Sequence, residues 1–433
     1  MASAQALPHP TNSPRRVLIA SMVGTTIEFF DFYIYATAAV LVFPALFFPG
    51  ADPTTAVLES FATFAIAFFA RPIGAAIFGH YGDRIGRKTT LVAALTLMGI
   101  STVAIGLLPT YAQAGVIAPL LLAFCRLGQG LGLGGEWGGA VLLATENAPP
   151  GKRAWYGMFP QLGAPIGFIM AAGSFLLLNA WLGDAAFFSY GWRIPFVASA
   201  LLVFVGLYVR LRIAETPDFR KAMANAERVR LPMLTLLTEH GRLLLLGTFA
   251  ALATFVLFYL MTVFTLSWAT RALGFPREQF LPVQMFGVLF FGLGIPVSGL
   301  IADRVGRLEM LLAATVGIGV FGLLYAPLLT SGFAGAAALS VVGFLLMGFT
   351  YGPLGTALAE PFPTAVRYTG ASMTFNLGGI VGASLAPYIA TTLATGYGLP
   401  FVGYYLSAAA AVTFLALMLM RTGRMRAVAA PAE

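Results

Sequence analysis

Gly79-His-Tyr-Gly-Asp83-Arg84-Ile-Gly86-Arg87-Lys88 is a short basic turn set between two long apolar runs. A near copy, Gly299-Leu-Ile-Ala-Asp303-Arg304-Val-Gly306-Arg307-Leu308, stands 220 residues later in a chain of 433. A second pair keeps the same rhythm. Glu146 precedes Arg153 by seven residues with prolines between them, and Glu360 precedes Arg367 in the same way. The spacing predicts one duplicated unit, each copy keeping its own hinge.

The runs around these hinges decide the solvent. The chain is 59% hydrophobic and 10% charged, with a mean hydropathy of +0.86. Soluble domains are about one quarter charged. A globular core has no room for this much apolar surface, so the expected solvent is lipid. A bilayer core of about 30 Å takes roughly 20 apolar helical residues. Twelve stretches qualify: 17–46, 55–80, 89–109, 115–145, 154–180, 193–211, 242–270, 280–302, 308–330, 334–358, 367–395 and 400–420. The expected fold is an all-α membrane protein of twelve transmembrane helices in two pseudo-symmetric six-helix halves. Residues 1–16 form an N-terminal tail, 17–211 the first half, 212–241 a linker, 242–421 the second half and 422–433 a C-terminal tail. The first apolar run is too long for a signal-peptide core and reads as a retained span.

The net charge of +8 does not point to nucleic acid, because the basic residues sit in turns between apolar runs and form no stripe. With both termini inside, twenty of the twenty-five Lys and Arg fall on the cytoplasmic side, Arg210 among them. Only Arg193, Arg271 and Arg277 fall outside. This matches the positive-inside rule and predicts a multi-pass protein of a bacterial inner membrane. The linker carries Met223, Val229, Leu231 and Leu234 among basic residues, a pattern that can lie at a membrane surface as a short helix. The single Cys125 excludes an internal disulfide, and three histidines give no zinc site or triad. No cofactor motif is visible and an enzyme is not expected. The glycines between Gly130 and Gly139 lack the Gly-Lys-Ser/Thr ending of a phosphate loop. They read as close helix packing.

Charge inside a span is costly and usually functional. Glu28 and Asp31 in span one, Arg71 in span two, and Arg126 and Glu136 in span four are such charges. Glu28, Asp31 and Tyr35 share one helix face among aromatic residues. Apolar surroundings disfavour the charged form of a carboxyl group, which suits it to carry a proton. Glu28, Asp31 and Glu136 are therefore the proton-coupling candidates, with structural ion pairing as the alternative. Arg126 and Glu136 lie ten residues apart, about 15 Å along the axis, so each needs another partner. Arg126 and Arg71 are candidates to meet an anionic substrate or to balance the carboxylates of span one. Tyr35 and Gln129 join them as candidate substrate contacts, with the neutral Tyr259, Gln284 and Asn376 in the second half.

With these residues placed, the chain resembles the major facilitator superfamily. The turn at 79–88 and its copy at 299–308 are similar to that superfamily's signature loop. Within it, the chain resembles the metabolite:proton symporters, through Glu28-Phe-Phe-Asp31-Phe, Gly134-Gly-Glu136-Trp-Gly-Gly, Gly191-Trp-Arg-Ile-Pro195, Glu215-Thr-Pro-Asp-Phe219 and Glu360-Pro-Phe-Pro-Thr-Ala-Val-Arg367. The stretch from Glu136 to Pro165 is most similar to the shikimate-carrier branch. Two departures stand out. Leu308 replaces the lysine of the first hinge, and Phe29-Phe30 stands where many relatives have Trp-Tyr.

The resemblance implies the major facilitator fold and uptake of a small metabolite with a proton, by rocking of the two halves about a midplane site, in a functional monomer. An organic acid anion is the expected substrate. A zwitterionic osmolyte such as proline or betaine is the alternative, and drug–proton antiport is a third reading. It also implies a gating role for Gly79, Asp83, Arg84, Gly86, Arg87, Asp303, Arg304, Arg307, Glu146, Arg153, Glu360 and Arg367. Asp83 or Asp303 would meet a helix N-terminus of the opposite half, where the dipole favours a carboxylate.

Overall fold

The computed structural model describes residues 14–50, 52–85, 87–211, 232–363 and 366–429, excepting the side chains of 14, 82–88 and 423–429. Twelve helices among them are long and apolar enough to cross a bilayer. Spans one to six are Arg15–Leu41, Pro53–Tyr81, Thr89–Leu107, Ile117–Glu146, Arg153–Ser189 and Gly191–Leu211. Spans seven to twelve are Gly241–Arg271, Arg277–Val305, Arg307–Thr330, Gly332–Ala359, Arg367–Gly396 and Pro400–Thr422. Every expected span is present, with the largest boundary shifts in spans one, five and eight. Span one stops at Leu41 and a separate short helix, Phe43–Phe47, follows. Span five runs on to Ser189, and span eight is longer at both ends than 280–302. Of the linker, Pro232–Glu239 is helical, with Leu236 buried against Ala75, Leu244, Phe362 and Met373. Residues 212–231 lie outside the described residues.

The packing repeats itself. In the first half, span one packs on span five, two on four and three on six. In the second, seven packs on eleven, eight on ten and nine on twelve. Each pairing recurs with the span number raised by six, so the duplication seen in the hinges holds for the whole bundle. The halves meet where span five lies against spans eight and ten, and span two against span eleven. Large apolar side chains cover the outside: Phe124 is 72% exposed, Leu201 and Phe204 69%, and Leu415 63%. In water so continuous an apolar surface would drive association. Here it faces lipid tails.

Lipid supplies no hydrophobic drive between helices, so close contact of small residues takes its place. A Cβ on Gly74 would come within 2.0 Å of the Leu131 carbonyl, and one on Gly134 within 2.0 Å of the Arg71 carbonyl. The second half mirrors this at Gly294 and Gly348, which lie backbone to backbone. Gly306 of the second hinge turns the chain with φ +109°, a conformation that other residues rarely adopt.

Candidate functional site

The glycine run of span four ends its first helix at Gly134, and a second helix starts at Trp137. The break brings Arg126, Gln129 and Glu136 inward on one span. Span one supplies Glu28 and Asp31, and span two supplies Arg71. All of these charged side chains are buried. They separate into three groups.

The first group lines a small cavity between the halves. Its walls are Glu28, Phe29, Phe32 and Arg71 from one half, with Phe255, Phe258, Tyr259, Tyr351 and Phe375 from the other. Tyr259 directly precedes a π-helical turn, Leu260–Phe264, in span seven. Such turns recur at functional sites. The Arg71 guanidinium lies over the Phe68 ring at 4.7 Å and the Phe32 ring at 5.2 Å. Its Nε has no hydrogen-bond partner, and neither has Oε2 of Glu28.

The second group is a relay behind that wall. Asp31 accepts from Ser199 Oγ at 2.5 Å and from Thr102 Oγ1 at 3.0 Å. Gln129 donates to Thr102 Oγ1 at 2.7 Å and accepts from Arg126 Nη1 at 2.9 Å. Arg126 rests over the Tyr35 ring at 4.0 Å, and the Tyr35 hydroxyl bonds Thr63 at 2.8 Å. Nη2 of Arg126 is buried with no partner. Among the described residues, no carboxylate lies within ion-pair distance of Arg71 or Arg126. Any balancing of the span-one carboxylates by these arginines therefore acts through space, as between Arg71 and Glu28 on the shared cavity wall, and not through a direct ion pair.

The third group stands apart. Glu136 is ion-paired with Arg210 of span six, which also donates to the Leu91 carbonyl of span three at 2.8 Å. Arg210, in the last turn of span six, counts with the basic residues of the hinge side; it is 8% exposed, its charge turned inward. The clue was in the sequence, since a buried Glu136 demanded a cation at the same depth.

Of the candidate substrate contacts only Arg71 and Tyr259 line the cavity; Arg126, Tyr35 and Gln129 belong to the relay behind it, and Gln284 and Asn376 also lie off it. Gln284 donates to the Met261 carbonyl at 2.8 Å. Asn376 donates to the Gly134 carbonyl at 3.2 Å, beside a bond from the Tyr368 hydroxyl to the Gly135 carbonyl. These two carbonyls stand at the end of the first helix of span four, where carbonyls lose their intrahelical partners. Span eleven supplies partners from the opposite half. Trp137 and Phe375 stack across the same seam with centroids 3.6 Å apart. Thr102, Ser199, Tyr351, Phe375 and Tyr368 are contributors that no charge or motif marked in advance.

Both ends of the cavity are bridged. At the hinge end, Asp303 accepts from the backbone amides of Ala154 and Trp155, each at 2.9 Å. These belong to the first turn of helix Arg153–Gln161 in the opposite half. Glu360 joins Arg307 at 3.0 Å and Arg153 at 3.9 Å. Gly79 faces Tyr368 and Thr369 of span eleven. Arg304 is exposed, Glu146 ends its helix half-buried, and Arg367 bonds the nearby Phe362 carbonyl at 3.0 Å. The side chains of Asp83, Arg84 and Arg87, and residue Gly86, lie outside the described residues. At the other end, Arg277 of span eight pairs with Asp184 of span five, and Arg271 reaches the Val40 carbonyl at 3.2 Å.

Comparison with known proteins agrees with this architecture. The Sugar (and other) transporter family matches residues 17–231. The chain is 58% identical over 421 residues to the inner membrane metabolite transport protein YhjE of Escherichia coli strain K12, covering 96% of each chain. It is 34% identical to the shikimate transporter of the same strain and 32% identical to its proline/betaine transporter, covering 94% of this chain in both cases and 94% and 83% of theirs. A solved structure of the xylose transporter XylE from E. coli, in a partially occluded inward-open conformation, aligns with a TM-score of 0.71 at 17% identity, over 94% of this chain and 97% of that one. The chain belongs to the major facilitator superfamily, among its metabolite transporters. It is a multi-pass membrane transporter of small molecules and not an enzyme.

Proposed function

We propose that this protein is a proton-coupled symporter of a small carboxylate metabolite that works by alternating access. The observation that carries the reading is the pair of buried arginines that, among the described residues, have no carboxylate within ion-pair distance. A buried ion costs several kcal/mol unless it is paired, and a guanidinium is a planar fork matched to a carboxylate. Arg71, on the cavity wall, takes the substrate's carboxylate. Arg126 stands behind it and supports its field.

Asp31 carries the proton. Ionised, it accepts from both hydroxyls. Protonated, it donates to Thr102 Oγ1, and Thr102 turns its own hydrogen to the Met98 carbonyl, 3.0 Å away. The network serves either state without stranding a polar group, and Gln129 links it to Arg126. Glu136 is occupied by Arg210, and Glu28 faces the substrate. A zwitterionic substrate is the second reading, favoured by the unpartnered Glu28 carboxyl on an aromatic wall.

The distribution of basic residues and the kinship with YhjE support a place in a bacterial inner membrane, hinge end and termini cytoplasmic, working as a monomer of two halves, 17–211 and 242–421, around the linker 212–241. The hinge contacts then act as a cytoplasmic latch. Asp303→Asn removes the charge from the dipole of helix Arg153–Gln161, an interaction of about 0.3–1 kcal/mol at an exposed site and up to about 2 when partly buried. Initial uptake rates are expected to fall several-fold at unchanged membrane expression, and full rates would remove the latch role.

Uptake into proteoliposomes of labelled shikimate, 2-oxoglutarate, citrate, proline and betaine, with and without an inward proton gradient, tests the reading. Gradient-stimulated accumulation of an acid is expected. Arg71→Gln should lower its apparent affinity roughly thirty-fold, as for loss of a charged hydrogen bond of about 2 kcal/mol. Accumulation of betaine or proline alone would select the zwitterion reading, and gradient-driven efflux of a cationic dye would overturn uptake.

A further inference from the structure

We infer that the transported carboxylate has a flat, hydroxyl-poor body, a ring or conjugated monocarboxylate, because the cavity offers one cationic fork and aromatic walls but almost no hydrogen-bonding groups. The inference rests on the carboxylate reading above and narrows it. Five phenylalanines and two tyrosines line the cavity, and the other lining residues are Glu28 and Arg71. Among the described residues, no Ser, Thr, Asn or Gln lines it. The amides nearby do not face it: Gln129 is held by Arg126 and Thr102, Asn376 gives its NH2 to the Gly134 carbonyl, and Gln284, whose Oε1 has no partner, gives its NH2 to the Met261 carbonyl and is not among the lining residues.

A substrate hydroxyl that leaves water for this wall finds only Glu28 and the phenols of Tyr259 and Tyr351 as partners. Any hydroxyl that does not reach one of these three fixed groups is stranded and weakens binding. The ring faces give the reverse preference. Phe258 packs directly on Tyr351 at 5.7 Å and on Tyr259 at 5.1 Å, centroid to centroid, so the wall is closed on itself here, and a flat body that enters as the halves part replaces ring–ring contacts with its own aromatic contacts. A cationic body is disfavoured on the same wall. The rings of Phe32 and Phe68 already carry the Arg71 guanidinium, and Phe32 carries Arg126 as well. When Asp31 holds its proton, Arg71 and Arg126 outnumber Glu28 and leave a surplus positive charge.

A matched ligand pair tests this without altering the protein. Cyclohex-1-ene-1-carboxylate and shikimate share a skeleton and a carboxylate and differ by three hydroxyls. Substrate-induced thermal stabilisation of the purified full-length protein is read across titrations of both, with benzoate, succinate and betaine alongside. The expected result is that cyclohexenecarboxylate and benzoate bind at least about tenfold more tightly than shikimate or succinate, with no response to betaine. Shikimate binding as tightly as its dehydroxylated analogue, or more so, overturns the inference and leaves the carboxylate reading standing. A response to betaine and to none of the carboxylates overturns both. Phe258→Leu is expected to weaken the flat ligands at least about threefold more than it weakens shikimate; an equal loss for all ligands would also count against the inference.

Discussion

Asp31→Asn is expected to end concentrative uptake while leaving exchange intact. A monovalent anion moving with one proton transfers no net charge, so the pH gradient alone drives it. One pH unit is worth about 1.4 kcal/mol and supports about tenfold accumulation. Asparagine keeps the size of the side chain and still bonds Ser199 and Thr102, so the relay to Gln129 and Arg126 survives. It cannot take up or release a proton. The accumulation ratio should therefore fall from about ten to about one, while counterflow of labelled against unlabelled substrate runs near the wild-type rate. Glu28→Gln is the control. It faces the cavity, so it should change apparent affinity and keep the gradient response. The reverse pattern, with Glu28→Gln uncoupled and Asp31→Asn still concentrative, moves the proton to Glu28.

Arg210→Ala is expected to be the most destabilising single change considered. Glu136 is fully buried, and its second oxygen, Oε2, has no partner. Removing Arg210 leaves that carboxylate stranded, a loss of about 3–5 kcal/mol for a broken buried pair. The damage extends beyond one contact. Arg210 ties span six to the break in span four and to span three, and the break presents the Gly134 and Gly135 carbonyls to span eleven. A lowered thermal midpoint in detergent checks the prediction. The double variant Glu136→Leu/Arg210→Met should recover most of the loss, since apolar replacement of a whole buried pair is often neutral. Equal destabilisation in the single and double variants would show that the carboxylate was not the cause.

The bundle was legible because lipid makes the code simple. Long apolar runs must be helices, and the hinge at 79–88 with its copy at 299–308 announces the two halves. The deviations have local causes. Span one ends early because Pro44 opens a new short helix at Phe43–Phe47. The site was half legible. Glu28, Asp31, Arg71, Arg126 and Glu136 stood out because charge in an apolar span is costly, and Tyr259 was found on the cavity wall. Arg210 hid because it lies near the end of span six, where a basic residue is expected to be solvated. Thr102 and Ser199 hid because hydroxyls are common in membrane helices, and only the fold shows which of them meet Asp31. Gln284 and Asn376 lie off the cavity with their NH2 groups on backbone carbonyls, since a buried amide satisfies backbone as readily as substrate.

A proton travelling with a carboxylate is the central feature of the proposed transport. The direct measurement is external pH in a weakly buffered suspension of proteoliposomes, with no gradient and the membrane potential clamped to zero, when a transported acid is added as its salt. The account predicts a prompt alkalinisation that matches labelled uptake in size and is absent for Asp31→Asn. Full uptake of the acid with no change in external pH would contradict it.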